Sequence, residues 1–192
     1  MSARNSENEE NEKIEENNEK EENENEIESN INRQQIILLV GPPSCGKSTL
    51  CSKHFNNSNF VRVNMDELKT RAKCIKAAKD ALILGKSVVI DNTNSTKQNR
   101  NDFIKAALET KKPIFIRCIV FDVKKDLALH LNMLRVKMTK GKTKKLPEVS
   151  YNVFYKNYQE PTLDEGIEDI MKIPFQVDFK DELHKKLFLE RN

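Results

Sequence analysis

The chain has 192 residues and a formal net charge of +3, with only 37% apolar residues. The bulk charge hides a split: residues 1–30 hold 12 Glu, no Asp and 3 Lys/Arg, a net −9, which leaves 30 basic against 18 acidic side chains, a net +12, in the rest. No stretch approaches the roughly 18 apolar residues of a transmembrane helix, and the N-terminus carries no apolar signal-peptide region. Cys45, Cys51, Cys74 and Cys118 form no C-x-x-C pair. They read as free thiols of an intracellular reducing compartment, nuclear or cytoplasmic, rather than a secreted one.

Taken in order, residues 1–33 form an acidic Glu/Asn-rich tail, expected to be disordered because too little apolar surface is available to offset chain entropy. Residues 34–192 form one domain. Residues 35–40 (QIILLV) read as a buried strand. Gly41-Pro42-Pro43-Ser44-Cys45-Gly46-Lys47-Ser48-Thr49 follows and matches G-x-x-x-x-G-K-[ST], a phosphate-binding loop running into a helix. Gly41 and Gly46 allow the tight turn that aims backbone N–H groups at phosphate oxygens, and the helix N-terminus adds partial positive charge. Lys47 is expected to reach the β- and γ-phosphates and Ser48 to offer a hydroxyl to Mg²⁺. The nucleotide-binding set is therefore Gly41, Ser44, Cys45, Gly46, Lys47, Ser48 and Thr49, with Cys45 a small filler in preference to a redox switch.

The pattern then alternates. Residues 60–64 (FVRVN) are a second strand, 66–84 a helix ended by Gly85, and 87–91 (SVVID) a third strand. Ser95 is expected to cap a helix carrying Phe103, Ile104, Ala107 and Leu108. Residues 113–121 are a fourth strand, 124–138 a helix, 139–147 a Lys-rich loop, and 149–157 a short helix. A fifth strand is expected within 167–179 and a closing helix over 181–189. Alternating β and α elements imply a parallel sheet covered on both faces. The expected fold is α/β, an adenylate-kinase-like P-loop kinase: a three-layer sandwich with a parallel sheet of about five strands and a basic lid.

Two acids fall at carboxyl ends of strands, where ligands bind in open α/β sheets. Asp66 is the candidate base for an acceptor hydroxyl, or else a helix N-cap. Asp91 is a candidate Mg²⁺ or acceptor-side carboxylate, or else a loop organiser. Residues 132–158 carry seven basic side chains (Arg135, Lys137, Lys140, Lys142, Lys144, Lys145, Lys156) against one acid, Glu148. Arg135 is the candidate for stabilising the transferring phosphoryl, because a guanidinium binds phosphate bidentately. The lysines suit a polyanionic acceptor. Tyr151, Phe154, Tyr155 and Tyr158, at helical spacing, form either a core stripe or a base-stacking surface. His54, His130 and His184 are scattered and suggest no metal site or triad.

Four blocks in order resemble the kinase half of the polynucleotide kinase/3′-phosphatase family over roughly residues 36–179. They are the P-loop, Val63-Asn64-Met65-Asp66, Val89-Ile90-Asp91-Asn92-Thr93-Asn94, and Pro161-Thr162-Leu163-Asp164-Glu165-Gly166-Ile167 with Ile173-Pro174-Phe175. The resemblance implies an ATP- and Mg²⁺-dependent kinase acting on the 5′-hydroxyl ends of DNA or RNA in end repair, with other repair proteins as partners and no membrane. On that reading Asp66 is the base, Ser48 and Asp91 serve Mg²⁺, and Asp91, Asn94, Arg100 and Lys73 lie on the acceptor side. The family's phosphatase signature D-x-D-G-T is not found, so 3′-phosphatase activity is not expected. A small-metabolite kinase of the same fold and a non-catalytic nucleotide- or nucleic-acid-binding module are the alternatives.

Overall fold

A run of five apolar residues with no polar alternation suits only a strand covered on both faces. Such a strand, β1 (Gln35–Val40), lies in the middle of the sheet, and Ile36 to Val40 are all buried. The computed structural model describes residues 33–190; the acidic tail expected before residue 33 lies outside the described residues. The remaining strands are β2 (Phe60–Val63), β3 (Ser87–Ile90), β4 (Phe115–Asp122) and β5 (Asp169–Pro174). They pair in the order β2-β3-β1-β4-β5, every pair parallel.

The side-chain alternation of β1 divides the core in two. Ile36, Leu38 and Val40 face one side, with Val88, Ile90, Cys118 and Val120. That side is covered by α3 (Arg71–Ile83) and α4 (Lys97–Leu108) through Cys74, Ala78, Leu82, Phe103, Ile104 and Ala107. Ile37 and Leu39 face the other side, with Val89, Ile119 and Phe121. There the cover comes from α1 (Lys47–His54), α5 (Lys125–Met138) and α6 (Glu148–Asn157), through Cys51, Ala128 and Tyr151 among others. Each fully buried Leu, Ile, Val or Phe side chain contributes about 1.5–3 kcal/mol. The chain closes with α7 (Glu182–Leu189), whose Phe188 stacks on Phe175 and meets His130 edge-on. The expected three-layer α/β sandwich with five parallel strands is observed.

Two boundaries differ from the sequence reading. The helix expected over 66–84 is two helices, α2 (Met65–Leu68) and α3. Lys69 takes a left-handed conformation (φ 69°), and the Thr70 hydroxyl accepts from the Lys73 amide at 3.3 Å, starting a new helix. Periodicity continues across this break, but a capping threonine competes with helix continuation. The cap of α4 is Thr96, whose hydroxyl accepts from the Asn99 amide at 3.1 Å, and not Ser95. Gly85 (φ 81°) ends α3 as expected.

Candidate active site

The parallel order β2-β3-β1 places three segments at the carboxyl end of the sheet: the P-loop after β1, the Asp91–Asn94 turn after β3, and α2 after β2. They are fastened together. The Gly41 amide donates to Thr93 O at 3.2 Å, and the Met65 amide donates to Asn92 Oδ1 at 2.9 Å.

Gly41 is required by space: a Cβ there would lie 2.8 Å from Cys45 Sγ and 2.9 Å from Phe121 Cβ. Gly46 is required by conformation (φ 106°), and it caps α1 without any side-chain hydrogen bond. The first-turn amides of α1 are thus left without side-chain capping, the arrangement that receives an anion. Lys47 is buried, and its ammonium donates to Gly41 O at 2.9 Å and Pro42 O at 2.7 Å, with Cys45 Sγ at 3.5 Å. Among the described residues no carboxylate pairs with it. A buried cation held only by carbonyls and sulfur, beside uncapped amides, fits the charge of a nucleotide's phosphates. Cys45 packs beneath the loop, and burial raises its thiol pKa, which keeps it protonated and supports the filler reading over the redox one.

Ser48 Oγ donates to Asp91 Oδ2 at 2.8 Å. Asp91 is buried and receives further donors on the same oxygen: Arg62 Nε at 2.9 Å, Arg62 Nη2 at 2.6 Å and Asn64 Nδ2 at 3.3 Å. Among the described residues no group of three or more His, Cys, Asp or Glu is placed to hold a metal. Ser48 and Asp91 offer the few hard oxygens that suit Mg²⁺ completed by phosphates and water.

Asn64, not Asp66, caps α2: its Oδ1 accepts from the Asp66 amide at 2.8 Å. The Asp66 carboxylate is exposed and, among the described residues, has no hydrogen-bond or ion-pair partner. The cap reading of Asp66 is therefore replaced by that of a carboxylate available to a ligand.

Arg100 and Asn94, expected on the acceptor side, are placed elsewhere. Arg100 is fully buried, paired with Glu165 through Nε–Oε2 at 2.8 Å and Nη2–Oε1 at 2.6 Å, and it also donates to Asn94 O and Gln159 O. Asn94 (φ 43°) is buried, and its amide donates to Leu39 O at 2.8 Å and Ile90 O at 3.3 Å. Both are buried and hydrogen-bonded within the fold, and the Arg100 guanidinium has no exposed atom. Lys73 is exposed in the first turn of α3, and among the described residues its ammonium has no partner. Local bonds hold the Pro161–Gly166 block in place. Thr162 and Glu165 make a capping box, Gly166 takes φ 87°, and Glu165 neutralises Arg100.

Arg135 stands half-buried in the last turn of α5. Among the described residues its buried Nε has no hydrogen-bond partner, and its Nη2 reaches Asn132 Oδ1 at 3.4 Å. Its charge is felt at Tyr151, whose hydroxyl lies 3.0 Å from Ser44 Oγ of the P-loop; burial dominates and raises the Tyr151 pKa, while the Ser44 bond and Arg135 oppose it. Tyr151 and Phe154 are core, as the stripe reading expected, whereas Tyr158 remains 36% exposed. The Lys-rich loop is pinned at its exit, because buried Asn132 both accepts from Leu146 N at 3.1 Å and donates to Leu146 O at 2.9 Å. Lys140, Lys142, Lys144 and Lys145 are exposed on it. The sequence assigns no role to Arg62 or Asn64, and places Tyr151 only in the aromatic stripe, not against Ser44 of the P-loop. The signal for Arg62 was a charge on the β2 face opposite to Val61 and Val63.

No protein-family model matches the chain. It is 45% identical over 143 residues to a bifunctional polynucleotide phosphatase/kinase of Schizosaccharomyces pombe, covering 74% of this chain and 34% of that protein. This chain is a homologue of bifunctional polynucleotide phosphatase/kinases. It spans about a third of the length of the curated relatives it matches. The fold is shared with a fungal RNA kinase, at TM-score 0.54, 16% identity and 82% coverage of each chain. It is shared equally with a gluconokinase from Sinorhizobium meliloti 1021, at TM-score 0.55 and 11% identity, covering 82% of this chain and 92% of that one. The P-loop-kinase fold and the family resemblance read from the sequence blocks are both borne out. Among the described residues no helix is long and apolar enough to cross a membrane.

Proposed function

We propose that the chain is an ATP-dependent polynucleotide 5′-hydroxyl kinase, acting in the repair of DNA or RNA ends. The observation that carries this reading is the Asp66 carboxylate, without a partner among the described residues, at the same end of the sheet as the Lys47 cradle and the Ser48–Asp91 pair. That edge lies within the region matched at 45% identity by a polynucleotide phosphatase/kinase. The shared gluconokinase fold cannot choose the acceptor, because fold alone does not fix function.

In this reading the P-loop amides and Lys47 receive the β- and γ-phosphates, Lys47 exchanging its carbonyl partners for phosphate oxygens. Mg²⁺, when bound, neutralises charge on the transferring group, and Ser48 and Asp91 would hold it. Asp66 accepts the proton of the 5′-hydroxyl while that oxygen forms its bond to the γ-phosphorus; the bond to the β–γ bridging oxygen breaks and ADP leaves. Arg135, whose Nε has no partner among the described residues, offers charge to the phosphoryl group from the lid side. The exposed lysines of the loop attract the acceptor's phosphates, and Lys73 stands on the acceptor side.

The test is incubation with ATP, Mg²⁺ and a 5′-hydroxyl oligonucleotide, read by mass spectrometry. The expected product is heavier by one phosphate at the 5′ end, with no change in an oligonucleotide that already carries a 5′-phosphate. An unmodified 5′-hydroxyl oligonucleotide beside consumed ATP overturns the reading.

A further inference from the structure

The side chain that joins the two halves of the site is one to which the sequence assigned no role. Arg62 leaves β2 on the face opposite to Val61 and Val63, which pack into the α3/α4 core. Its guanidinium lies close enough to the Cys51 thiol of α1 for its charge to oppose the effect of burial there, and it makes three charge-assisted bonds to carboxylates. Nε and Nη2 both donate to Asp91 Oδ2, at 2.9 and 2.6 Å, and Nη1 donates to Glu67 Oε1 at 2.5 Å. Asp91 is only 1% exposed, whereas Arg62 is 35% exposed. A carboxylate that buried keeps its charge only with a cation or several donors. Its other donors are a hydroxyl, Ser48, and an amide, Asn64, so Arg62 is its one cationic partner among the described residues. Glu67, at the far end of the guanidinium, is the neighbour of Asp66 in α2.

We infer that Arg62 is a positioning residue for phosphoryl transfer. It fixes the Asp91 carboxylate against Ser48 and ties it, through Glu67, to the helix that carries Asp66. The inference rests on the kinase reading above and deepens it. Arg62 acts through Asp91 and does not touch the acceptor. A fixed-fork guanidinium suits this task better than a flexible ammonium, because two of its donors meet one oxygen while a third turns away to Glu67.

The test uses the full chain as wild type, Arg62→Lys, Arg62→Ala, Asp91→Asn and the Arg62→Ala/Asp91→Asn double variant. Two readouts are taken over a Mg²⁺ titration: binding of a fluorescent ATP analogue, and phosphate transfer to a 5′-hydroxyl oligonucleotide. Arg62→Ala is expected to raise the half-saturating Mg²⁺ for nucleotide binding by about 10-fold, as loss of an outer-shell partner does. It lowers kcat by about 10-fold or more and leaves the oligonucleotide KM within about 2-fold, the pattern of a group that does not bind the acceptor. Arg62→Lys recovers part of both losses. In the Asp91→Asn background, removing Arg62 costs less than about 2-fold further, because the two act as one unit.

A raised oligonucleotide KM with unchanged Mg²⁺ dependence overturns the inference, as does a full Arg62→Ala cost that persists in the Asp91→Asn background. Circular dichroism melts accompany every variant; should Arg62→Ala unfold, Arg62→Lys and the double variant, which leaves no buried charge unpaired, decide the outcome. If the wild type labels no oligonucleotide, the kinase reading fails while the Mg²⁺ dependence of nucleotide binding still decides the role of Arg62.

Discussion

Ser48, at the start of α1, and Asp91, at the end of β3, share a hydrogen bond of 2.8 Å across 43 residues of chain. The bond exists because β1 and β3 are neighbours in register, Leu38 opposite Ile90, so their carboxyl ends deliver the P-loop and the acid side by side. It brings two hard oxygens together next to a lysine that has no carboxylate of its own among the described residues.

Lys47→Ala removes the buried cation of the P-loop. Nucleotide affinity should fall by about 10-fold or more, since hydrogen bonds to charged groups contribute about 1.5–3 kcal/mol. Titration with a fluorescent ATP analogue measures this, and undiminished affinity would remove Lys47 from the phosphate site.

Asp66→Asn should leave nucleotide binding nearly intact while lowering phosphate transfer by about 10²-fold or more, the usual contribution of a general base. Because Asn64 caps α2, the substitution should leave the thermal midpoint unchanged. Single-turnover transfer and a melting curve on the same sample separate the two roles: a lowered midpoint with intact transfer would return Asp66 to a structural part.

Arg100→Leu leaves Glu165 buried at 1% exposure without its cation. Stability should drop by about 3–5 kcal/mol, and Arg100→Leu/Glu165→Leu should recover a large share of it. Urea denaturation measures both. Well below the melting transition, the single variant should keep the oligonucleotide KM of the wild type; a raised KM would restore Arg100 to the acceptor side.

Burial pushes the Cys51 thiol up to about 11 and that of Cys118 up to about 12, from an ordinary value of 9.0. The folded state therefore holds these protons more tightly than the unfolded state. Their full contribution to stability is present below 9 and is lost as pH rises from there through about 11 and about 12. Urea midpoints should stay level from about pH 7 to about pH 8.5 and then fall. Alkylation of the native thiols should be slow over the same neutral range, and rapid modification of Cys51 or Cys118 would contradict their burial.

The sequence made the parallel sheet legible because its evidence is local. The unbroken apolar run of β1 can only be an inner strand, and G-x-x-x-x-G-K-S fixes loop and helix together. The roles of Arg100 and Arg62 were not local. Arg100 is buried by Glu165, 65 residues further on, and nothing in its own neighbourhood distinguishes it from a ligand-binding arginine. Arg62 sits in an alternating FVRVN segment that reads as a half-exposed strand, and its partner Asp91 lies one strand away. Asn64 and Asp66 are both good N-caps two positions apart, so only the observed bond from the Asp66 amide to Asn64 decides which one is free. The break at Lys69 escaped for a related reason: Thr70 caps a new helix inside an apolar period that continues unbroken.

On the proposed function, the phosphate acceptor is a polynucleotide 5′ end. ATP labelled in its γ-phosphate, offered to the protein with a 5′-hydroxyl oligonucleotide and gluconate together, tests it most directly. The label should accumulate on the oligonucleotide's 5′ end, with Mg²⁺ required and Asp66→Asn nearly inactive. Label on gluconate with none on the oligonucleotide would contradict the account.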